Sequence, residues 1–518
     1  MIRRPELILL GALGIALPLY ILAIDPYIGA GYDNAQYVVL AKALARGVGF
    51  SQIQIPGDLP EPKYPPGWPL LLAPVWLLAP DFPANAAWFK LVSVVFGLAF
   101  VAVTYAWMHW RGEGVSACLF IALLTLVHPR ILGYATSAFS EMAYAFFSVV
   151  ALWLIEAYEQ TAQPRWRDAF FPALVAVGAM LLRTFGLALI AAGMVYLLFR
   201  RRWRHAAYFG ALTAIGSAPW FARGILIADV SGSYLQHFFL KVMERPALGT
   251  IGWEDLVVRG VLNVRAYLLA GLPGALMPSQ VPLTFVNLAE GQRVGAPFPG
   301  SDVLLAIIVG GGLVGQAVWR RAPVDWYVLC YLGLCLAWPW EPTRFVVPLI
   351  PMLYAYAFFE IGLIIRAFRM PWRAWLRTGG IALLVVFIVL NLVTQARYTW
   401  MERQAPISAE RAARARLFEW IIRATPPESV LATLPDGEVY LYTGRQAIRE
   451  LGSAEKLLHY TVSYVVLIPY GGMMTEGDLS QEDFAPLYAA YHNAFVRVYV
   501  DEAANLEVFQ VNQEALAR

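Results

Sequence analysis

Long apolar runs separated by short, basic connections dominate the chain. Apolar stretches near 7–24, 87–110, 115–128, 137–155, 169–182, 185–199, 206–227, 302–319, 324–338, 345–365 and 379–394 predict about eleven crossings of a bilayer, because a helix needs roughly twenty apolar residues to span the hydrocarbon core. The stretches near 115, 169, 185 and 324 are short, which predicts tilted, broken or partly re-entrant helices. Leu70–Leu78 is apolar but too short to cross and crowded with prolines, so it reads as an interfacial or re-entrant piece. After Thr394 the pattern changes. Arg403–Trp420 is charged and helical, Pro426 and Pro427 break it, and β-rich runs follow at Val430–Leu434, Tyr464–Ile468, Phe495–Val500 and Leu506–Val511.

The predicted fold class is thus an α-helical multi-pass membrane protein with external amphipathic helices and a small C-terminal α/β domain. Residues 1–398 form the membrane domain, including external loops 25–86 and 228–301, and residues 399–518 form the external α/β domain. Composition sharpens this reading: 59% hydrophobic and 14% charged residues, with a mean hydropathy of +0.56, exclude one large soluble core. A net charge of +3 scattered among loops gives no reason to expect a nucleic-acid partner. Cys118, Cys330 and Cys335 all fall in apolar segments, so no disulfide or zinc framework is implied. Arg3 and Arg4 precede the apolar run to Ile24, which lacks a small-residue cleavage pattern and reads as a retained anchor.

Charge placement sets the orientation. Arg3 and Arg4, Arg111, Arg165 and Arg167, Arg200–Arg204, Arg320 and Arg321, and the Arg366–Arg377 segment fall on one side of the predicted crossings. By the positive-inside rule that side is cytoplasmic, and so is the N-terminus. The loop with Asp33, residues 228–301 and everything beyond Thr394 are then external. The cytoplasmic connections hold no GxxxxGK[ST] and no strand-linked GxGxxG, which argues against chemistry on cytosolic nucleotides.

The chemistry concentrates between Gly31 and Trp68. Asp33 opens a helical pattern in which Tyr37, Leu40, Ala41 and Leu44 share one face and Gly47 and Gly49 end the run, the pattern of a short amphipathic helix on a membrane surface. Lys63 and Tyr64 then lead into a Tyr-Pro-Pro-Gly-Trp-Pro run, which is stiff and unsuited to a helix interior. On residue type alone Asp33 is also a good N-cap, and Lys63 a solvated surface charge. Glu141 starts the fourth span after His128, Pro129 and Arg130; it reads as a second external carboxylate or as a first-turn acid complementing the helix dipole. Arg183 in LLRTFG and Arg344 in EPTRFVVPLIP lie at a depth where a guanidinium needs an anion or a carbonyl. A phosphate would serve both, although Glu341 is an alternative partner for Arg344. In the long external connection, Tyr234–Met243 and Leu256–Leu269 carry or flank Lys241, Arg245, Arg259 and Arg265. Helices of this type lie along a leaflet, anchoring the chain or meeting anionic headgroups.

Taken together, YDNAQYVVLAKALARGVG, YPPGWPLLLAP, SEMAYAFF, LLRTFGLAL followed by RRRWR, EPTRFVVPLIP and the tail TPPESVLATLPDGEVYLYTGR resemble the integral-membrane glycosyltransferases of the GT-C superfamily. Within it, the likeness is to bacterial relatives of the protein mannosyltransferases and the aminoarabinose lipid A transferases. The resemblance implies a polyprenyl-phosphate-linked sugar donor, a glycan, lipid or protein acceptor, and an inverting displacement on the external (periplasmic) face. It also implies that Asp33 is the first-loop acid and general base, that Glu141 is the second acidic position, and that Lys63 and Arg344 contact the donor. Tyr64, His128, Arg183, Lys241, Arg245 and Arg265 are further substrate-binding candidates. Many members carry two adjacent acids in the first loop where this chain has Asp33 and Asn34, which weakens a metal role there; a divalent ion, if used, would fall to Asp33 and Glu141. The acid and the cations are expected to converge at the outer edge of the lipid. A lipid-linked sugar flippase or transporter and an oligosaccharide transferase or polymerase are the alternatives.

Overall fold

The computed structural model describes residues 4–29, 32–227, 234–241, 248–267, 271–276, 285–286, 293–294, 300–339, 342–367, 389, 407–470 and 478–518. Helices occupy every predicted apolar stretch up to residue 365, while the stretch 379–394 and most of Arg366–Arg377 lie outside the described residues. Among the described residues, three helices are long and apolar enough to cross a membrane: Arg4–Leu22, Ala86–Trp110 and Glu141–Glu159. Val115–Leu126 and Pro129–Ala135, bent by 59°, supply a fourth if they form one broken span. The expected figure of about eleven crossings is not reached by this measure. Gly186–Phe199 has 14 residues and extends only ~21 Å at 1.5 Å per residue, and Gly67–Leu78 and Pro323–Ala337 are similarly short.

By internal contacts the chain divides into two interleaved units. One comprises Met1–Ile24, Pro62–Trp68 and Lys90–Gln395; the other comprises Asp25–Glu61, Pro69–Phe89 and Ala396–Arg518. The first-loop residues around Asp33 therefore group with the C-terminal residues, a different division from a single cut after residue 398.

The first unit is helical. Gly300–Trp319 packs along Ile350–Ala367, and a Cβ on Gly312 would overlap the Tyr356 carbonyl. That is the close backbone approach that small residues permit between membrane helices. The Tyr20 hydroxyl donates to the Leu126 carbonyl at 2.6 Å, joining Arg4–Leu22 to Val115–Leu126. Leu7, Ile8, Leu10, Ile15, Leu304, Ile307 and Val314 are all more than half exposed. A soluble protein would not display such apolar faces, whereas lipid covers them without cost.

The second unit is built on a five-stranded sheet of β1 (Val430–Ala432), β2 (Gln446–Ile448), β3 (Tyr464–Leu467), β4 (Phe495–Asp501) and β5 (Leu506–Val511), in the order β2-β1-β3-β5-β4. β1 pairs in parallel with both β2 and β3, and β5 runs antiparallel between β3 and β4. The period-two alternation of strands sends Leu431, Val466 and Val508 into one core with Leu417, Phe418 and Ile421 of the Ile407–Ala424 helix. Ala432, Val465, Leu467 and Phe509 point into the opposite core with Leu457, Phe484 and Phe495. Beside the outer strand β2, the Ala447 amide donates to the Gln54 carbonyl at 2.7 Å, so the first loop covers an edge that would otherwise offer unpaired backbone.

Candidate functional site

In the first unit, three predicted residues meet. Glu141 lies in the first turn of Glu141–Glu159, where a carboxylate complements the positive helix end, and its side chain is 1% exposed. Arg183 Nη1 stands 2.6 Å from Glu141 Oε1, and Arg344 Nε donates to the same oxygen. Arg183 Nη1 also donates to Ser140 Oγ at 3.3 Å. Each guanidinium lies against an aromatic face, Arg183 5.5 Å from the Phe345 centroid and Arg344 4.7 Å from that of Phe139. The three side chains place two guanidiniums on one carboxylate oxygen, and guanidiniums are the groups best shaped to bind a phosphate. Glu341, the alternative partner of Arg344, lies outside the described residues.

Residues 62–68 of the Pro-rich run belong to the same unit and brace this cluster. The Trp68 indole N–H donates to the Ala138 carbonyl at 2.9 Å, three residues before Glu141, and Trp68 is fully buried. A Cβ on Gly67 would lie 2.6 Å from the Leu181 carbonyl oxygen and 3.0 Å from the Leu182 amide nitrogen, directly before Arg183. Pro65 and Pro66 precede the Gly67–Leu78 helix and Pro69 falls in its first turn, whose amides have no intrahelical acceptor to lose, so none of the three prolines sits in a helix interior. Lys63 Nζ stands 5.1 Å from the Tyr64 ring centroid, and Tyr64 is buried.

Asp33 lies in the second unit, in the first turn of Tyr32–Ala45. The helix ends as expected before Gly47, whose φ of +73° is the left-handed conformation that stops helices. It is not the one-sided surface helix that the spacing predicts. Asn34, Gln36, Val38 and Val39 are as buried as Tyr37 and Leu40, because its polar residues find partners inside the protein. Gln36 Nε2 donates to Asp436 Oδ1 at 3.0 Å, and Gln54 Nε2 donates to Asp436 Oδ2 at 3.1 Å and to Gln36 Oε1 at 3.0 Å. The Tyr32 hydroxyl also bonds the Asp436 carboxylate. Burial pushes the Asp436 carboxyl above the usual range, against the pull of Arg449 and of the donated hydrogen bonds. Lys42 stands between the Trp76 and Tyr440 rings, 5.0 and 4.8 Å from their centroids; burial, with a smaller contribution from Arg46, lowers its pKa to about 8. Gln36, Gln54 and Asp436 escaped the sequence reading. An amide one turn from Asp33 in an otherwise apolar segment was the available signal for Gln36, while Asp436 looks like any acid at a helix start.

The remaining candidates fare differently. His128 is fully buried; its Nδ1 accepts from the Arg130 amide at 3.1 Å, so Nε2 carries the proton and donates to the Ala275 carbonyl at 2.7 Å. Both ring nitrogens are committed to backbone, and His128 serves as a helix cap rather than a substrate ligand. Lys241 Nζ is 3.5 Å from Asp255, Arg265 is exposed, and Arg245 lies outside the described residues. Arg259 does not face a leaflet: it is buried, donating to the Phe238 and Leu240 carbonyls at 2.9 and 2.8 Å. Trp253, Val257 and Val261 of Trp253–Ala266 are more than 60% exposed, the apolar face expected of an interfacial helix. Among the described residues no group of three or more His, Cys, Asp or Glu side chains could hold a metal ion.

The chain is similar in fold to ArnT from Cupriavidus metallidurans in a structure bound to undecaprenyl phosphate, with a TM-score of 0.59 and 15% identity over 98% of both chains. It is also similar to the archaeal oligosaccharyltransferase AglB from Archaeoglobus fulgidus, in complex with an inhibitory peptide and a dolichol-phosphate. There the TM-score is 0.54 and the identity 14%, over 98% of this chain and 74% of that one. No family model and no curated protein matches the chain.

Proposed function

We propose that this chain, whose fold is that of the GT-C membrane glycosyltransferases, moves a sugar from a polyprenyl-phosphate-linked donor to a hydroxyl of a glycan, lipid or protein acceptor on the external face of the membrane. The observation that carries this reading is the pair of guanidiniums converging on Glu141, in a fold that holds a polyprenyl phosphate in ArnT. No pool of nucleotide sugars exists outside the cytoplasmic membrane, so an external transferase needs a lipid-borne donor.

In the proposed reaction Arg183 and Arg344 bind the donor phosphate, with Glu141 holding both guanidiniums in place and Lys63 adding a third positive charge. Asp33 takes the proton of the acceptor hydroxyl. The acceptor oxygen bonds to the anomeric carbon as the bond from that carbon to the phosphate oxygen breaks, its electron pair leaving on polyprenyl phosphate; one displacement inverts the configuration. The cations act on charge that develops as the phosphate departs. A general base contributes roughly 10²–10⁴-fold, so Asp33→Asn is expected to lose at least that much while remaining folded and inserted. The test supplies purified protein with a panel of polyprenyl phosphate sugars, monosaccharide and oligosaccharide, with and without chelator, and measures released polyprenyl phosphate. Release from no donor would refute the transferase reading, and ordinary turnover by Asp33→Asn would refute the base.

A further inference from the structure

The hydrogen bonds around Asp436 have a geometry that packing alone does not call for. Tyr32 and Gln36 are four residues apart and share a face of the first turn of Tyr32–Ala45, with Asp33 between them in sequence. Both side chains reach one carboxylate: Gln36 on Oδ1 at 3.0 Å, and Tyr32 through its hydroxyl. Gln54 closes the ring, donating to Asp436 Oδ2 and to Gln36 Oε1. Arg449 lies 4.1 Å over the Tyr32 ring, and its charge attracts Asp436. Gln36, Gln54 and Asp436 are each at most 2% exposed, so water cannot replace a lost partner. The approach is tight as well, since a Cβ on Gly437 would lie 2.9 Å from Gln36 Nε2.

We infer that Asp436 is a positioning residue: by holding Tyr32 and Gln36 on either side of Asp33, its carboxylate fixes the first helical turn, and with it the direction in which the Asp33 side chain is presented. The inference rests on the reading of Asp33 as general base. Rate is sensitive to such placement, with a shift of ~1 Å in a reacting group costing about 10²-fold. Remote residues that anchor a catalytic turn therefore act on kcat.

The test uses four full-length variants in the transfer assay. Asp436→Asn keeps the shape but turns one acceptor into a donor, so one glutamine amide meets an N–H. Its kcat is expected to fall about 10²-fold with KM for the donor lipid unchanged. Gln36→Met, which cannot bond, should do the same. The double variant Asp436→Asn with Gln36→Glu reverses the polarity of the contact. The amide now on the Asp436 side would donate to the carboxylate now on the Gln36 side, Gln54 could still donate to both, and the negative charge moves to within one turn of Asp33. Its plateau kcat is expected to recover, with the acid limb of its pH profile displaced to higher pH by the nearby charge. A purely structural role would give neither the kcat-specific loss nor the displaced limb. Wild-type kcat in Asp436→Asn or Gln36→Met, or no recovery in the folded double variant, would overturn the inference. Wild-type turnover in Asp33→Asn would instead overturn the base reading on which it rests.

Discussion

Gly67 offers the sharpest test of how the Pro-rich run serves the buried ion cluster. No positive φ is involved, so Gly67→Ala changes only volume. The added Cβ would stand 2.6 Å from the Leu181 carbonyl oxygen, 2.8 Å from its carbon and 3.0 Å from the Leu182 nitrogen. Ordinary contact begins near 3.4 Å, and all three obstacles are backbone, so no rotamer change relieves the overlap and the Leu181–Arg183 segment must shift. Overpacking of this kind costs about 1–3 kcal/mol. The shift falls on the residues immediately before Arg183, whose Nη1 is 2.6 Å from Glu141. Moving a charge-assisted hydrogen bond by several tenths of an ångström weakens it sharply. Gly67→Ala should therefore unfold earlier in detergent and lose more transfer activity than its lost stability explains. Thermal unfolding and donor turnover measured on one preparation check both. A variant with unchanged unfolding and unchanged turnover would refute the close approach and the bracing role drawn from it.

Removing the Glu141 carboxylate leaves two guanidiniums on a neutral group, and breaking a buried pair in this way costs about 3–5 kcal/mol. Glu141→Gln should therefore destabilise more than Arg183→Gln, which leaves Arg344 to balance Glu141; equal unfolding temperatures for Glu141→Gln and wild type would contradict this. Lys42, lowered to about 8 by burial, should be about half neutral at pH 8, where an ordinary lysine near 10.4 is well under ~1% neutral. Folding favours its neutral form, so Lys42 adds stability as pH rises from about 8 toward the ordinary lysine value. The pH at which its own pulse-acylation rate reaches half of its plateau, read by mass spectrometry, should lie near 8, and a midpoint near the ordinary lysine value would count against the lowered value. A spin label at Val261→Cys should be more accessible to oxygen than to a water-soluble nickel complex in vesicles, and the reverse would remove Trp253–Ala266 from the lipid surface.

The sequence exposed most of the helices because apolar length is a direct record of lipid contact, and the alternation of β1, β3, β4 and β5 recorded a sheet with a core on each side. β2 was missed: Gln446–Ile448 is three residues long, too short for any period to register. Glu141, Arg183 and Arg344 could be named individually because a charge at the end of an apolar run stands out, yet nothing in their spacing said that both arginines share one carboxylate oxygen. The reading of Tyr32–Ala45 as a surface helix failed for a physical reason. Asn34 and Gln36 look solvent-facing in a one-dimensional pattern, but Gln36 is matched by Asp436 and Gln54, and an amide with partners is at home in an interior.

Gln36 and Asp436 lie 400 residues apart along the chain. At ~5–20 residues per second, ribosomal synthesis leaves roughly 20–80 s between the emergence of one and the other. Throughout that interval the loop carrying Asp33 has no sheet to rest on, so the unit that presents the proposed base can complete its packing only after the strands between Val430 and Val511 have been made. On the proposed function, a chain that has not yet reached those strands lacks the support for its base, so transfer would begin only after they have formed.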